Sequence, residues 1–115
     1  MSYNLAMSVP PSLRPPLEAL RVHLRRIFGG RLREVRLFGS YARGEADEDS
    51  DVDVLILVDD LTKLEVGLVA DAAAPIILET GIALSPLPMS TASLAELRRT
   101  GRALAHDLDR EGIVL

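Results

Sequence analysis

Val35-Arg36-Leu37-Phe38-Gly39-Ser40-Tyr41-Ala42-Arg43-Gly44, followed after an acidic stretch by Ser50-Asp51-Val52-Asp53-Val54-Leu55-Ile56-Leu57-Val58, is the part of the chain whose reading decides the fold. The first four residues read as a short strand, broken by Gly39-Ser40 and followed by a short helical turn that ends at Gly44. Glu45 to Ser50 reads as a loop. Asp51 to Val58 is the most strand-like segment: its β-branched residues at 52, 54, 56 and 58 share one face, and Asp51, Asp53, Leu55 and Leu57 share the other.

Two carboxylates two residues apart on a strand lie on one face, with Cα atoms roughly 6.5 to 7 Å apart. Side chains of that reach can share a divalent cation. At the head of an otherwise apolar strand such a pair repels and loses hydration unless a cation sits between its members. Asp51 and Asp53 are therefore candidate metal ligands, and a solvated strand end that gathers acids for solubility is the competing explanation. Gly39 adds a second element, because a glycine at a strand end lets a phosphate approach the backbone, where exposed N–H groups can hold it. The Ser40 hydroxyl supplies a further donor, and Arg43, three residues on, falls on the same side of a helical turn, within reach of a triphosphate oxygen. Phosphate donors and metal ligands facing one cleft are the equipment of phosphoryl or nucleotidyl transfer.

Outward from this centre, residues 1–13 carry little periodicity and are expected to form a flexible N-terminal arm before a single domain over residues 14–115. From Pro16, Leu17, Leu20, Leu24, Ile27 and Phe28 recur at helical spacing until Gly29-Gly30. After Asp59-Asp60, Leu61, Leu64, Leu68, Ala72 and Ile76 predict a second helix to about Thr80, closed by Gly81, with Pro75 kinking it or splitting off its last turn. A third strand is expected over Ile82 to Leu87. Ser90 or Thr91 then caps one last helix with Leu94, Leu97, Leu104 and Leu108 as its stripe and Gly112 past its end.

Composition narrows the function. The 115 residues are 48 % hydrophobic and 26 % charged, which requires a packed core. With two Phe, two Tyr and no Trp that core is aliphatic and offers little surface for stacking bases. A net charge of -4 has the wrong sign for a broad phosphate-backbone footprint, so no nucleic-acid partner is expected. The absence of Cys removes disulfides, thiolate nucleophiles and Cys-type zinc sites. No leader pattern and no bilayer-spanning run is evident, so a cytoplasmic protein without a membrane partner is expected. His23 and His106 stand alone in separate helices and receive no role. Asp47, Asp49 and Asp51 alternate like a calcium-loop start, but Val52 and Val58 occupy the positions that need Gly and Glu.

Gly39-Ser40-Tyr41-Ala42-Arg43-Gly44, with ten residues between Ser40 and Asp51 and then Asp51-Val52-Asp53, resembles the signature of the DNA polymerase beta-like nucleotidyltransferases, in particular the single-domain minimal nucleotidyltransferases. The resemblance implies an α+β (α/β two-layer) fold, a small mixed β-sheet flanked by helices. It further implies ATP or another nucleoside triphosphate with Mg²⁺ (or Mn²⁺), and transfer of a nucleoside monophosphate to a hydroxyl. In its terms Asp51 and Asp53 are the catalytic metal ligands, and Gly39, Ser40 and Arg43 bind the nucleotide phosphates. Members of the family usually carry a third carboxylate on a later strand; here that strand has none, and Ser85 is the best match to the position. The resemblance also implies an all-helical HEPN partner protein or self-association. It leaves a second reading open: a catalytically weak nucleotide-binding regulatory or antitoxin module.

Overall fold

Val52–Val58 is apolar on both faces from Val54 onward, which suits only a strand covered on both sides. In the computed structural model, which describes residues 9–47 and 49–115, it is a central strand of a four-stranded sheet. The elements run Arg14–Phe28 (α1), Leu32–Phe38 (β1), Gly39–Arg43 (α2), Val52–Val58 (β2), Lys63–Thr80 (α3), Leu84–Ser90 (β3), Thr91–Arg99 (α4), Ala103–Glu111 (α5) and Ile113–Val114 (β4). The sheet order is β3-β2-β1-β4. β1 is antiparallel to β2 and to β4, whereas β2 and β3 are parallel and joined through α3. Pro86 and Pro88 lie in β3, an edge strand, where a missing N–H need not break the ladder. This is the mixed sheet with flanking helices expected from the sequence.

The larger core lies on the face of Val35, Leu37, Val52, Val54, Ile56 and Val58, under Leu17, Leu20, Leu24 and Phe28 of α1 and Val69, Ala72 and Ala73 of α3. The opposite face is also covered: Leu55 and Leu57 pack with Leu94 of α4 and with Ala105 and Leu108 of α5. Phe38, Leu87 and Met89 border that smaller cluster. One ion-pair and hydrogen-bond network centred on Arg31 and Glu65 fixes the layers. Arg31 ties the start of β1 to the β2–α3 turn through the Asp59 and Asp60 carbonyls and a two-pronged pair with Glu65. Glu65 also closes a capping box with Thr62 at the head of α3.

Several boundaries differ from the sequence reading. Of the expected arm, residues 1–8 lie outside the described residues. Val9 and Leu13 are buried in the core, Pro11–Leu13 form a 3-10 turn, and α1 already begins at Arg14, because Pro15 and Pro16 sit in its first turn, where no N–H is needed. α3 runs unbroken through Pro75 but is rotated from the expected face: Leu64 is 83 % exposed and Leu78 87 %, while the short side chains of Ala72 and Ala73 face the sheet. The bulky stripe of α1 already fills the adjoining space, so α3 approaches on its smaller residues. The single last helix is two, since Thr100 turns its hydroxyl onto the Glu96 and Leu97 carbonyls and Gly101 takes φ +68°. Its leucines still share one core cluster, across the break.

Candidate active site

Every candidate residue sits at the end of the sheet where β1 stops and β2 begins. Phe38, the last residue of β1, is paired with Asp53, so Gly39 leaves the sheet directly over the Asp53 side chain. Gly39 has φ +72°, a left-handed conformation that side chains resist. A Cβ built on it would lie 3.2 Å from Asp53 Cγ and nearer still to Oδ2. The glycine is therefore doubly required, by its backbone angle and by the carboxylate against it. The Gly-Ser turn and the carboxylate strand touch through this pair.

From Gly39, α2 makes one and a half turns and stops at Gly44, whose φ of +73° ends the helix. No side chain caps its N-terminus. Between Gly44 and Asp51 the loop is folded on Asp47: its Oδ1 accepts from the Asp49 N–H and the Ser50 hydroxyl, and Ser50 Oγ accepts from the Asp47 N–H at 3.0 Å. That turn delivers the chain to Asp51 in register for β2.

Asp51 is exposed and Asp53 half-buried. Burial pushes the Asp53 carboxyl up from its ordinary range, the Asp51 charge pushes it further, and Arg43 partly offsets both. A half-buried carboxylate with a second acid beside it at the rim of a sheet is a site that gains by taking a cation. Among the described residues no three His, Cys, Asp or Glu side chains gather around one point. Mg²⁺ is commonly held by one or two carboxylates plus substrate phosphates, so two acids beside a phosphate-accessible turn fit it.

Arg43 is engaged. Its Nε meets Glu45 at 3.1 Å and its Nη1 meets Glu111 of α5 at 3.3 Å, and both carboxylates hold its pKa above the usual guanidinium value. Any phosphate that takes Arg43 must compete with them. Glu111 escaped the sequence reading, since nothing local links positions 68 residues apart. Its placement follows from Arg36 on β1, which pairs with Glu34 and donates to the Leu108 carbonyl at 2.7 Å, fixing the end of α5. Ser85 of β3 stands in register with Asp53 in the parallel β2–β3 pair, on the same face. A serine hydroxyl thus occupies the neighbouring strand position, where an acid would add a third carboxylate.

The family model for the nucleotidyltransferase domain matches residues 17–89, from α1 almost to the end of β3. The chain belongs to the nucleotidyltransferase-domain family. Over 60 residues it is 43 % identical to the protein adenylyltransferase MntA of Thermococcus cleftensis, covering 52 % of this chain and 59 % of that relative. The match thus spans less than two thirds of the relative's length. A solved structure assigned to a minimal nucleotidyltransferase superposes with TM-score 0.60 at 28 % identity, covering 98 % of this chain and 97 % of the other. A toxin–antitoxin structure with AMP-PNP shares the fold, with TM-score 0.56 at 21 % identity over 84 % of this chain and 70 % of that one. Among the described residues no helix is long and apolar enough to cross a membrane.

Proposed function

We propose that this nucleotidyltransferase-family chain transfers AMP from ATP to a hydroxyl of a partner protein, with Asp51 and Asp53 holding Mg²⁺ and Gly39, Ser40 and Arg43 on the phosphates. The observation that carries this reading is the contact of Gly39 with Asp53, which sets a phosphate-accessible backbone against one carboxylate of a mutually repelling pair. Mg²⁺ bound there would neutralise charge on the triphosphate and on the leaving pyrophosphate. Gly39 leaves the backbone open to phosphate oxygens, Ser40 offers its hydroxyl, and Arg43 exchanges Glu45 and Glu111 for phosphate. The acceptor oxygen bonds to the α-phosphorus, the α–β bridging bond breaks, pyrophosphate leaves with that electron pair, and the hydroxyl proton goes to solvent. A protein acceptor is supported by the likeness to a protein adenylyltransferase. The reading extends to an all-helical HEPN-type partner, in keeping with the toxin–antitoxin neighbour.

A second reading, a nucleotide-binding regulatory or antitoxin module with weak transfer, is favoured by Ser85 beside Asp53. Without a carboxylate there, the attacking hydroxyl is held less well in line, and loose positioning costs orders of magnitude in rate. Incubation with ATP labelled at the α-phosphate and with proteins purified alongside the chain separates the two. Label on a partner, lost in Asp53→Asn, supports the enzyme; Mg²⁺-dependent ATP binding without label supports the module. A gain of transfer in Ser85→Asp would identify the serine as the limiting position.

A further inference from the structure

The break between α4 and α5 leaves a cavity of about 320 Å³ lined by Arg98, Gly101, Arg102, Ala105, His106 and Asp109, none of which belongs to the candidate active site. Ala105 is buried in the smaller core cluster and forms the base of the cavity. Gly101 leaves its wall open, since a Cβ there would meet nothing within 4 Å. From the side chains gathered around this cavity we propose that it binds a small phosphate-class anion, whose oxygens are shared among Arg98, Arg102 and His106.

On a chain whose net charge is -4, the cavity is lined by two arginines and a histidine against one acid. That acid is already committed. Asp109 accepts from Arg98 Nε at 2.9 Å and again from Nη2, and these bonds hold its carboxyl below the ordinary aspartate range, so it stays charged and paired. Both bonds use one side of the guanidinium, and Arg98 Nη1 makes no hydrogen bond among the described residues. Arg102 and His106 make no ion pair or side-chain hydrogen bond among the described residues either. Two guanidinium groups and an imidazole, which offers a ring N–H in either protonation state, therefore face one space with donors to spare. An arginine fork engages two oxygens of an oxyanion, and a phosphate group presents more oxygens than the two of a carboxylate, which suits three donor side chains. Arg102 and His106 are exposed, so the binding is weak and falls with salt.

Amide chemical-shift titration of the full chain by heteronuclear NMR, with sodium phosphate at constant ionic strength and without Mg²⁺, reads this cavity separately from the Gly39–Arg43 turn. Saturable shifts are expected at Gly101, Ala105 and His106. The dissociation constant should rise about fivefold or more in Arg102→Ala and in His106→Ala, and stay unchanged in Arg26→Ala, which removes an exposed arginine from α1 instead. Pyrophosphate and AMP are titrated in parallel, and the tightest of the three at these amides identifies the occupant as bare phosphate, a diphosphate or a nucleoside monophosphate. Acetate at the same ionic strength should give no saturable shift there. The substituted side chains are exposed, so melting of the variants should match that of the unaltered chain. Phosphate shifts confined to Gly39–Arg43, acetate binding as tight as phosphate, or a loss in Arg26→Ala equal to that in Arg102→Ala would each overturn the proposal, the last by showing attraction to charge at large and no site.

Discussion

Replacing Gly39 by alanine probes the joint between the phosphate turn and the carboxylate strand. The left-handed φ of +72° costs a side-chain-bearing residue about 1–2 kcal/mol, of which restriction of the unfolded chain returns about 0.4–1. The added Cβ also falls 3.2 Å from Asp53 Cγ and 3.3 Å from its Cβ, with Oδ2 closer than two such atoms can stand. Relief requires Asp53 to swing or β1 to shift, an overpacking cost of about 1–3 kcal/mol. The sum is a loss of about 2–4 kcal/mol, or roughly 8–16 °C in Tm for a domain of this size. Urea unfolding of Gly39→Ala in two backgrounds separates the terms. With Asp53 present the full loss is expected; with Asp53→Ala only the backbone part, about 1 kcal/mol, should remain. An equal loss in both backgrounds would refute the contact, and no loss in either would refute the turn geometry as well.

Further outcomes follow from the charges. Burial raises the Asp53 pKa in the folded chain, so ionisation costs stability as pH rises through the folded value; Asp53→Asn should be the more stable form at pH 7, with the advantage vanishing below the ordinary aspartate range in pH-dependent urea melts. Glu65 is the opposite case, its carboxyl lowered to about 2 by Arg31 and by the Thr62 N–H: its stabilisation is full above about pH 4.5 and lost as pH falls toward 2. Glu65→Gln should therefore lower Tm at pH 7 and approach the unaltered chain near pH 2. Glu111→Gln frees one side of Arg43 and should tighten Mg²⁺-ATP binding severalfold at low salt in titration calorimetry; weakened binding would assign Glu111 to orienting Arg43 for the phosphate.

Strand parity carried most of the site. Alternation along Val52–Val58 put Asp51 and Asp53 on one face, and the same parity set Ser85 opposite the core-facing Leu84; the parallel register with Asp53 is what the sheet adds. The missing parts were those without a local signal. α3 is apolar on nearly every side, so its periodicity announces a helix without indicating which face turns inward. The leucine stripe of α4 and α5 continues in phase across Thr100–Arg102, hiding a break that only Gly101 marks. β4 is two residues long, too short to alternate, and closes the sheet edge beside Arg36 and Leu37. The engagement of Arg43 by Glu111 depends on where α5 ends, which long-range packing alone determines.

The central claim is that Asp51 and Asp53 bind a divalent cation together with the triphosphate held at Gly39–Ser40. Calorimetric titration of the chain with a non-hydrolysable ATP analogue, with and without Mg²⁺, tests it most directly when repeated on Asp51→Asn and Asp53→Asn. The account predicts binding that requires Mg²⁺ in the unaltered chain and weakens at least tenfold in either variant, about 1.4 kcal/mol or more. Equal affinity without Mg²⁺, or in both variants with it, would contradict the account.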